Sequence, residues 1–191
     1  MQLLKDKILS QAEIVNAHVL KVDSFLNHQV DPKLMQAIGK EFARKFKDKG
    51  ITKVVTIETS GIAPAVFTAL ELGVDLVFAR KGKSIVLNSN LYQVPVFSYT
   101  KEKEYSLVIN KAFLNSDDKI LFVDDFLANG QALMAVQELI DYAGAKMVGA
   151  GIVIEKSFEA GRARAEETGI EVYSLARISK LYADTIEFEG E

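Results

Sequence analysis

Segments with the pattern of buried strands alternate with helical segments along most of the chain, and this alternation restricts the fold more than any other feature. Residues 51–59, ITKVVTIET, form a nearly continuous apolar and β-branched run, typical of a parallel strand covered on both faces. Such alternation predicts an α/β fold with a central, mostly parallel sheet flanked by helices. Further strands are predicted at 75–81, 119–125, 146–156 and 171–178, and helices at 31–50, 64–73, 130–144 and 162–168.

The helix at 31–50 carries the clearest local signals. Asp31 is a good N-cap residue, and Pro32 suits the first helical position. Gly50 follows the last turn and is a common helix terminator. One face is apolar at helical spacing, and its residues are Leu34, Met35, Ile38, Phe42 and Phe46.

Two segments depart from the alternation. Residues 82–118 contain two alternating runs, 92–100 and 104–110, around a charged turn, and predict an antiparallel hairpin. A long, partly polar excursion of this kind is often a mobile functional loop, and a plain surface hairpin is the alternative. Residues 1–30 stand apart from the α/β pattern and are predicted to form a small cap, together with the C-terminus. No repeat or linker divides the 191 residues, so we predict one domain over 1–191.

Composition excludes several classes of protein. The chain has no Cys, which excludes disulfides and thiol chemistry, and the two His are too few for a His-rich metal site. A net charge of −3 argues against non-specific binding to nucleic acid. The N-terminus lacks the pattern of a signal peptide, and no apolar run is long enough to span a bilayer. We therefore expect a cytoplasmic protein without membrane association.

Four polar or glycine-containing segments follow predicted strands directly. They are residues 58–64, 79–84, 124–132 and 155–162. In open α/β sheets, ligands bind outside the carboxyl ends of the strands, so these segments are expected to surround one binding site.

The segment ILFVDDFLANGQA (120–132) places Asp124 and Asp125 at the end of an apolar strand, before a small-residue loop and a helix. Backbone N–H groups and the helix dipole favour an anion at such a loop. Paired carboxylates beside it would suit a ligand with both phosphate and sugar hydroxyls, or a bound cation. Side chains alternate along a strand, so one carboxylate is expected to reach the cleft and the other to brace the loop. The alternative is a pair of Asp residues that only begins a helix.

Two other loops are candidate anion sites. Ser60 and Gly61 lie in a turn before a helix, where free N–H groups would face a ligand. Arg80 and Lys81 follow the next strand, where their charge would meet phosphate. The alternatives are an ordinary turn and a solvated basic patch. The GKS at 82–84 is not a P-loop, because the position that needs Gly is Val77.

ILFVDDFLANGQA resembles the phosphoribosylpyrophosphate (PRPP) signature of the type I phosphoribosyltransferases. The resemblance implies the fold of that family, with residues 82–105 in the place of its flexible closing loop. It implies that Asp124 and Asp125 are the catalytic carboxylates that meet the ribose hydroxyls. The loop for the ribose 5′-phosphate would consist of Ala128, Asn129, Gly130, Gln131 and Ala132, and the diphosphate would lie near Ser60, Gly61, Arg80 and Lys81.

Residues 19–32 and 152–158 extend the resemblance, over essentially the whole chain, to the bacterial purine-salvage members that use xanthine. The implied reaction joins xanthine and PRPP to give xanthosine monophosphate and diphosphate, reversibly. Leu20, Asn27 and Lys156 would bind xanthine. Mg²⁺ would arrive with PRPP, without a dedicated protein metal site, and the family implies a homodimer.

Two departures from the family pattern concern the phosphate loop. Asn129 and Ala132 stand where Thr is commonest, so more of the phosphate contact falls to the backbone. Ala128 replaces the acidic residue that is the proposed base in the hypoxanthine–guanine branch. Alternative functions are a guanine or hypoxanthine transferase, a PRPP-sensing purine regulator without catalysis, and a nucleotide-binding structural module.

Overall fold

The computed structural model describes residues 1–82, 89–98, 103–182 and 185–190. Within them the α-helices are α1 (Gln2–Gln11), α2 (Pro32–Phe46), α3 (Ile62–Leu72), α4 (Gln131–Tyr142) and α5 (Gly161–Glu167). The strands are β1 (Glu13–Asn16), β2 (Val19–Lys21), β3 (Lys53–Ile57), β4 (Asp75–Gly82), β5 (Leu91–Ser98), β6 (Lys103–Asn110), β7 (Lys119–Leu127), β8 (Lys146–Lys156), β9 (Val172–Leu181) and β10 (Ile186–Phe188).

One sheet of eight strands organises the fold, in the order β10-β9-β8-β7-β3-β4-β6-β5. Its five central strands, β9 to β4, are parallel to their neighbours, while β10 at one edge and β6 and β5 at the other are antiparallel. The predicted α/β fold with a mostly parallel sheet is therefore confirmed. Strand β7 lies between β3 and β8, so the loops that follow these three strands meet at the middle of one sheet edge.

The predicted start of α2 is confirmed. The Asp31 carboxylate accepts hydrogen bonds from the N–H groups of Lys33 and Leu34, at 3.1 and 3.2 Å, and Pro32 is the first helical residue. The predicted apolar face is buried. The α-helix ends four residues earlier than predicted, at Phe46, because a 3-10 turn precedes Gly50 in the left-handed conformation.

Glycines in β8 allow α2 to approach the sheet closely. A Cβ on Gly149 would lie 2.5 Å from Cε1 of Phe46, and a Cβ on Gly151 would lie 2.9 Å from Cδ1 of Phe42. Both phenylalanines are completely buried. The two glycines thus leave room for aromatic rings, which fixes the distance between helix and sheet.

The structure extends or corrects several predicted boundaries. Strand β7 continues for two residues beyond Asp125, and β9 for three residues beyond 178. Residues 1–30 contain α1, the antiparallel β1–β2 hairpin and a turn of π-helix at Asp23–Asn27, none of which the sequence pattern predicted individually.

The predicted hairpin within residues 82–118 is confirmed as β5 and β6, which pair with each other and join the sheet through β4. It extends the sheet because alternating side chains on both strands pack against the central layers, as Val94, Val96, Leu107 and Ile109 are buried. Residues 83–88 and 99–102 of this predicted flexible loop lie outside the described residues. No helix in the described part of the chain is long and apolar enough to cross a membrane.

The close contact between Gly149 and Phe46 yields a stability prediction. Gly149→Ala forces the buried ring of Phe46 to move, and overpacking of this kind costs about 1–3 kcal/mol. Urea unfolding measures the loss. Phe46→Leu removes the conflicting ring atom. The free energy of unfolding of the double variant is therefore expected to fall by less than the sum of the decreases in the two single variants. Strict additivity would contradict this explanation.

Candidate active site

Two adjacent carboxylates near the end of β7 line a cavity of about 230 Å³ at the carboxyl edge of the sheet. Both Asp124 and Asp125 reach it, although one alone was expected to. The N–H of Asp125 donates a hydrogen bond of 3.1 Å to Oδ1 of Asp124. The rest of the wall is formed by the loop after β3, by Lys81 from β4 and by Tyr105 from β6.

Burial controls the charge of this pair. Asp124 is only 7% exposed, and its burial, together with the negative charge of Asp125, raises the pKa of Asp124 well above its usual value. Burial also raises the pKa of Asp125. The ammonium group of Lys81 acts in the opposite direction on the pKa of both carboxyls. A ligand that brings positive charge or hydroxyl donors would satisfy these carboxylates.

The loop after β3 closes tightly against Asp124. A Cβ on Gly61 would overlap the Thr56 hydroxyl and would lie 2.7 Å from Oδ1 of Asp124, so glycine is needed there. The Thr56 hydroxyl is buried and has no hydrogen-bond partner among the described residues. The peptide bond between Glu58 and Thr59 in this loop is cis. Ser60 and Gly61 line the cavity and precede α3.

Lys81 and Arg80 occupy different positions. The N–H of Lys81 donates to the Glu58 carboxylate at 2.9 Å, and its ammonium lies 5.9 Å from the centre of the Tyr105 ring. Arg80 instead is largely exposed, with its Nε 3.7 Å from the Glu58 carboxylate, and lines a separate groove. The structure therefore brings Lys81, but not Arg80, into the carboxylate cavity.

A second cavity of about 120 Å³ lies beside the first and is lined by the loop between β7 and α4. Gly130 has a φ of 84°, and α4 begins at the next residue. The Asn129 side chain accepts a 3.0 Å hydrogen bond from the N–H of Gln131. Ala128 and Ala132 complete the loop, so neither charged side chains nor hydroxyls are available in it. An anion here would be held by backbone N–H groups and the start of α4.

Lys156, at the end of β8, connects the sheet to the N-terminal cap. Its ammonium donates a 2.5 Å hydrogen bond to the His18 carbonyl in the β1–β2 turn and lies 5.6 Å from the centre of the Phe126 ring. Burial lowers the pKa of Lys156. Leu20 lies in the same hairpin and is buried in the core, whereas Asn27 is exposed at the end of the π-helical turn.

The comparison of sequences agrees with this geometry. A model of the phosphoribosyl transferase domain matches residues 26–184. The chain belongs to the phosphoribosyltransferase family. A curated xanthine phosphoribosyltransferase of Listeria monocytogenes is 56% identical over 191 residues, which is the whole of both chains. One from Pseudomonas aeruginosa is 55% identical over 188 residues, covering 98% of this chain and 99% of its own.

Solved structures share the fold at lower identity. The adenine phosphoribosyltransferase of Giardia lamblia, in complex with 9-deazaadenine, superposes with a TM-score of 0.75 at 24% identity, over 91% of this chain and 97% of that one. The adenine enzyme of Saccharomyces cerevisiae gives a TM-score of 0.73 at 20% identity, over 92% and 99%. The family's fold is thus retained in spite of extensive sequence change.

In this phosphoribosyltransferase, Glu58 and Tyr105 also line the carboxylate cavity, although sequence reasoning did not name either of them as a site residue. Glu58 directly follows β3, so its position at a strand end was a usable signal. Tyr105 comes from β6, and its approach to the cavity depends on the pairing of β6 with β4, which no local pattern indicates. Glu58 accepts from the backbone N–H of Lys81, and the Tyr105 ring lies 5.9 Å from the Lys81 ammonium.

The raised pKa of Asp124 predicts a trade of stability for function. The fold disfavours the charged carboxylate, so Asp124 lowers the free energy of unfolding when the pH is above its raised pKa. This loss of stability fades as the pH falls through that pKa. Asp124→Asn should therefore raise the melting temperature at neutral pH, by about 2–4 °C per kcal/mol regained, with a smaller gain in acid. Activity should fall about 10²–10³-fold. Thermal unfolding and nucleotide assays over a pH series measure both.

Asp118 supplies a control of opposite sign. Burial would raise its pKa, but hydrogen bonds from the Asn115 N–H, Lys53 and Thr52 outweigh burial and lower it. Its stabilisation is present above the unfolded-state pKa and is lost as the pH falls through the folded-state pKa. Asp118→Asn should lower the melting temperature at neutral pH. If Asp124→Asn also lowers the melting temperature, this would contradict the conclusion that the buried charge of Asp124 destabilises the fold.

Proposed function

We propose that this chain transfers the 5-phosphoribosyl group of PRPP to N9 of xanthine, giving xanthosine 5′-monophosphate and diphosphate, reversibly. The observation that carries the proposal is the junction of a carboxylate cavity and a glycine loop at one sheet edge. A sugar diol would lie at the first and a phosphate at the second. The full-length similarity to curated xanthine phosphoribosyltransferases supports the choice of base.

The 5′-phosphate is proposed to bind the loop of Ala128, Asn129, Gly130, Gln131 and Ala132. Its dianion would accept hydrogen bonds from the backbone and benefit from the positive end of α4. Asn129 and Ala132 stand where the commonest form of the family signature has Thr, so main-chain donors are proposed to take the place of hydroxyl donors.

The diphosphate is proposed to lie against Ser60 and Gly61, with the charge of Lys81 near its oxygens. Lys81 already faces the carboxylate cavity. Arg80 is also proposed to bind the diphosphate, but its side chain must first leave its contact with Glu58 to reach a ligand there.

Asp124 and Asp125 are proposed as the catalytic carboxylates. As the bond from ribose C1 to the diphosphate oxygen breaks, positive charge develops on the ribose ring. Xanthine is proposed to enter as its anion, with its proton already lost to solvent, and its N9 forms the new bond to C1. Buried carboxylates beside the ring stabilise that charge more strongly than they would in water. Mg²⁺ is proposed to arrive with PRPP and to be held mostly by the diphosphate and ribose oxygens, without a dedicated protein metal site. Bound Mg²⁺ would neutralise charge on the leaving diphosphate.

The base is proposed to lie between the cap and the end of β8. Lys156 would donate to an exocyclic oxygen of xanthine, and the Asn27 amide would serve the 2-oxo group and its neighbouring N–H. Leu20 would contribute through its backbone, because its side chain is packed in the core. Guanine carries an amino group in place of the 2-oxo group, which sets donor against donor and lowers its affinity.

The proposal is tested by incubating the purified protein with PRPP, Mg²⁺ and xanthine, guanine, hypoxanthine or adenine separately. We expect xanthosine monophosphate to form well ahead of the other nucleotides. Asn27→Leu should narrow the preference for xanthine over guanine by about 10-fold or more, because the amide proposed to pair with the 2-oxo group and its neighbouring N–H is lost. Chromatography of the nucleotides measures each product.

Other outcomes of that assay separate the alternatives. A different favoured base would keep the enzyme class and contradict the role of Asn27. Absence of any nucleotide, with PRPP still bound, would favour a regulator that senses PRPP. The proposed substrates are metabolites of the cytoplasm, and a cytoplasmic location is part of the proposal.

We also propose that the chain forms a homodimer through α3 and β4. Val66 and Leu70 on one side of α3, and Phe78 on β4, are 46%, 69% and 42% exposed, which is high for large apolar side chains. A second copy that covered them would remove this apolar surface from water.

Light scattering after gel filtration tests the dimer, with an expected mass twice the 21.1 kDa of the chain. Leu70→Asp should shift the protein toward the monomer, since a buried unpaired charge opposes association. Leu9→Asp is the matched control, because Leu9 on α1 is 59% exposed and lies outside the proposed interface. A wild-type monomer, or equal effects of both variants, would contradict the proposal.

A further inference from the structure

The loop proposed to bind the 5′-phosphate is held from behind by α5. The N–H of Gly161 donates to the Ala128 carbonyl at 2.9 Å. The Arg164 guanidinium donates to the Asn129 carbonyl, also at 2.9 Å. Two consecutive carbonyls of the loop are thus bonded to a helix that lies about 35 residues further along the chain.

The contact between the two segments is backbone against backbone. A Cβ on Gly130 would lie 2.9 Å from Cα of Gly161, and a Cβ on Gly161 would lie 2.7 Å from Leu127 and overlap the Ala128 carbonyl. There is no space for another side chain, so the position of α5 fixes the position of the loop.

Arg164 determines the orientation of one peptide plane in the loop. The bond between Asn129 and Gly130 is trans, so its C=O and N–H groups point in opposite directions. A guanidinium that holds the Asn129 carbonyl therefore directs the Gly130 N–H away from Arg164. The same cation polarises that peptide in the sense that makes its N–H a better donor to an anion.

The loop itself makes this support necessary. Residues 128–132 contain no Lys, Arg, Ser or Thr, so a phosphate dianion there depends on N–H groups and on charge supplied from elsewhere. Arg164 is exposed and is the cation that contacts this loop within the described residues.

We propose that Arg164 is a positioning residue for the 5′-phosphate: it orients the Asn129–Gly130 peptide and supplies positive charge behind the loop. The proposal rests on the assignment of residues 128–132 to the 5′-phosphate. It implies that Arg164 acts on ligands with a phosphomonoester and leaves ligands without one unaffected.

Isothermal titration of xanthosine monophosphate and of xanthosine separates these cases, because the two ligands differ only in the phosphate. Arg164→Ala should weaken the binding of the monophosphate about 10-fold, which corresponds to one charge-assisted hydrogen bond, and should leave the affinity for xanthosine unchanged. Arg164→Lys keeps the charge and a donor and should recover part of the affinity. In kinetics, KM for PRPP should rise while kcat stays close to the wild-type value.

Arg44→Ala is the matched control. Arg44 is exposed on α2, where it pairs with Glu41, and its removal changes the net charge by the same amount. It should not alter the affinity for either ligand. An equal effect of Arg44→Ala and Arg164→Ala on the monophosphate would overturn the proposal in favour of a general effect of charge.

Measurements on the wild-type protein distinguish a failure of the Arg164 proposal from a failure of the assignment of residues 128–132 to the 5′-phosphate. If wild type binds the monophosphate no better than xanthosine, the loop assignment fails, and the role of Arg164 fails with it. If wild type prefers the monophosphate and Arg164→Ala retains the full preference, the role of Arg164 alone is overturned. Equal weakening of both ligands would indicate a structural role and would also overturn it.

Discussion

The burial of the Asp124 carboxylate is the constraint on which the construction of the site depends. It lies on β7, the strand between β3 and β8, where the loops of all three strands meet. Because a buried charge needs partners, the loop after β3 approaches closely enough to require Gly61, and Lys81 is placed at the cavity wall. The buried carboxylate is unfavourable in the protein alone, and a ligand with hydroxyl donors or positive charge would provide the partners that it lacks.

The two halves of the site are supported in different ways. The loop at 128–132 is bound to α5 through paired glycines and through the Arg164 hydrogen bond, which makes it a rigid receptor. Beneath it, the Glu155 carboxylate is buried and accepts hydrogen bonds from Arg162, Arg177 and Ser174, which fixes the start of α5 to the sheet. On the cap side, the Lys156 ammonium donates to the His18 carbonyl, the His18 ring lies 6.2 Å from the Phe158 ring, and Leu20 is buried in the core.

The sequence predicted the parts of the fold that depend on local pattern. Continuous apolar runs identified the parallel strands, and Asp31 with Pro32 identified the start of α2. The short strands β1, β2 and β10 have too few residues to show a period, and the ends of β7 and β9 depend on pairing with neighbours.

For the site, strand ends predicted that Asp124 and Gly61 would lie together, and both line the carboxylate cavity, whereas Lys156 lies at the end of β8 against the cap. Tyr105 and Arg164 reach it through strand pairing and the docking of a short helix, which are long-range effects that no local pattern contains. The separation of Arg80 from Lys81 likewise follows from the pleat of β4, because neighbouring side chains in a strand point to opposite faces.

The hydrogen bond between Lys156 and the His18 carbonyl has a consequence for selectivity. If the base binds at Lys156 as proposed, one of its oxygens must replace the His18 carbonyl as the acceptor for the ammonium. The net gain in binding free energy is then the difference between two similar hydrogen bonds. The same exchange removes one contact of the β1–β2 turn, while the contact of the His18 ring with Phe158 and the burial of Leu20 remain. In the proposed site, a purine without an oxygen at that point would therefore leave the hydrogen bond from Lys156 to the His18 carbonyl in place.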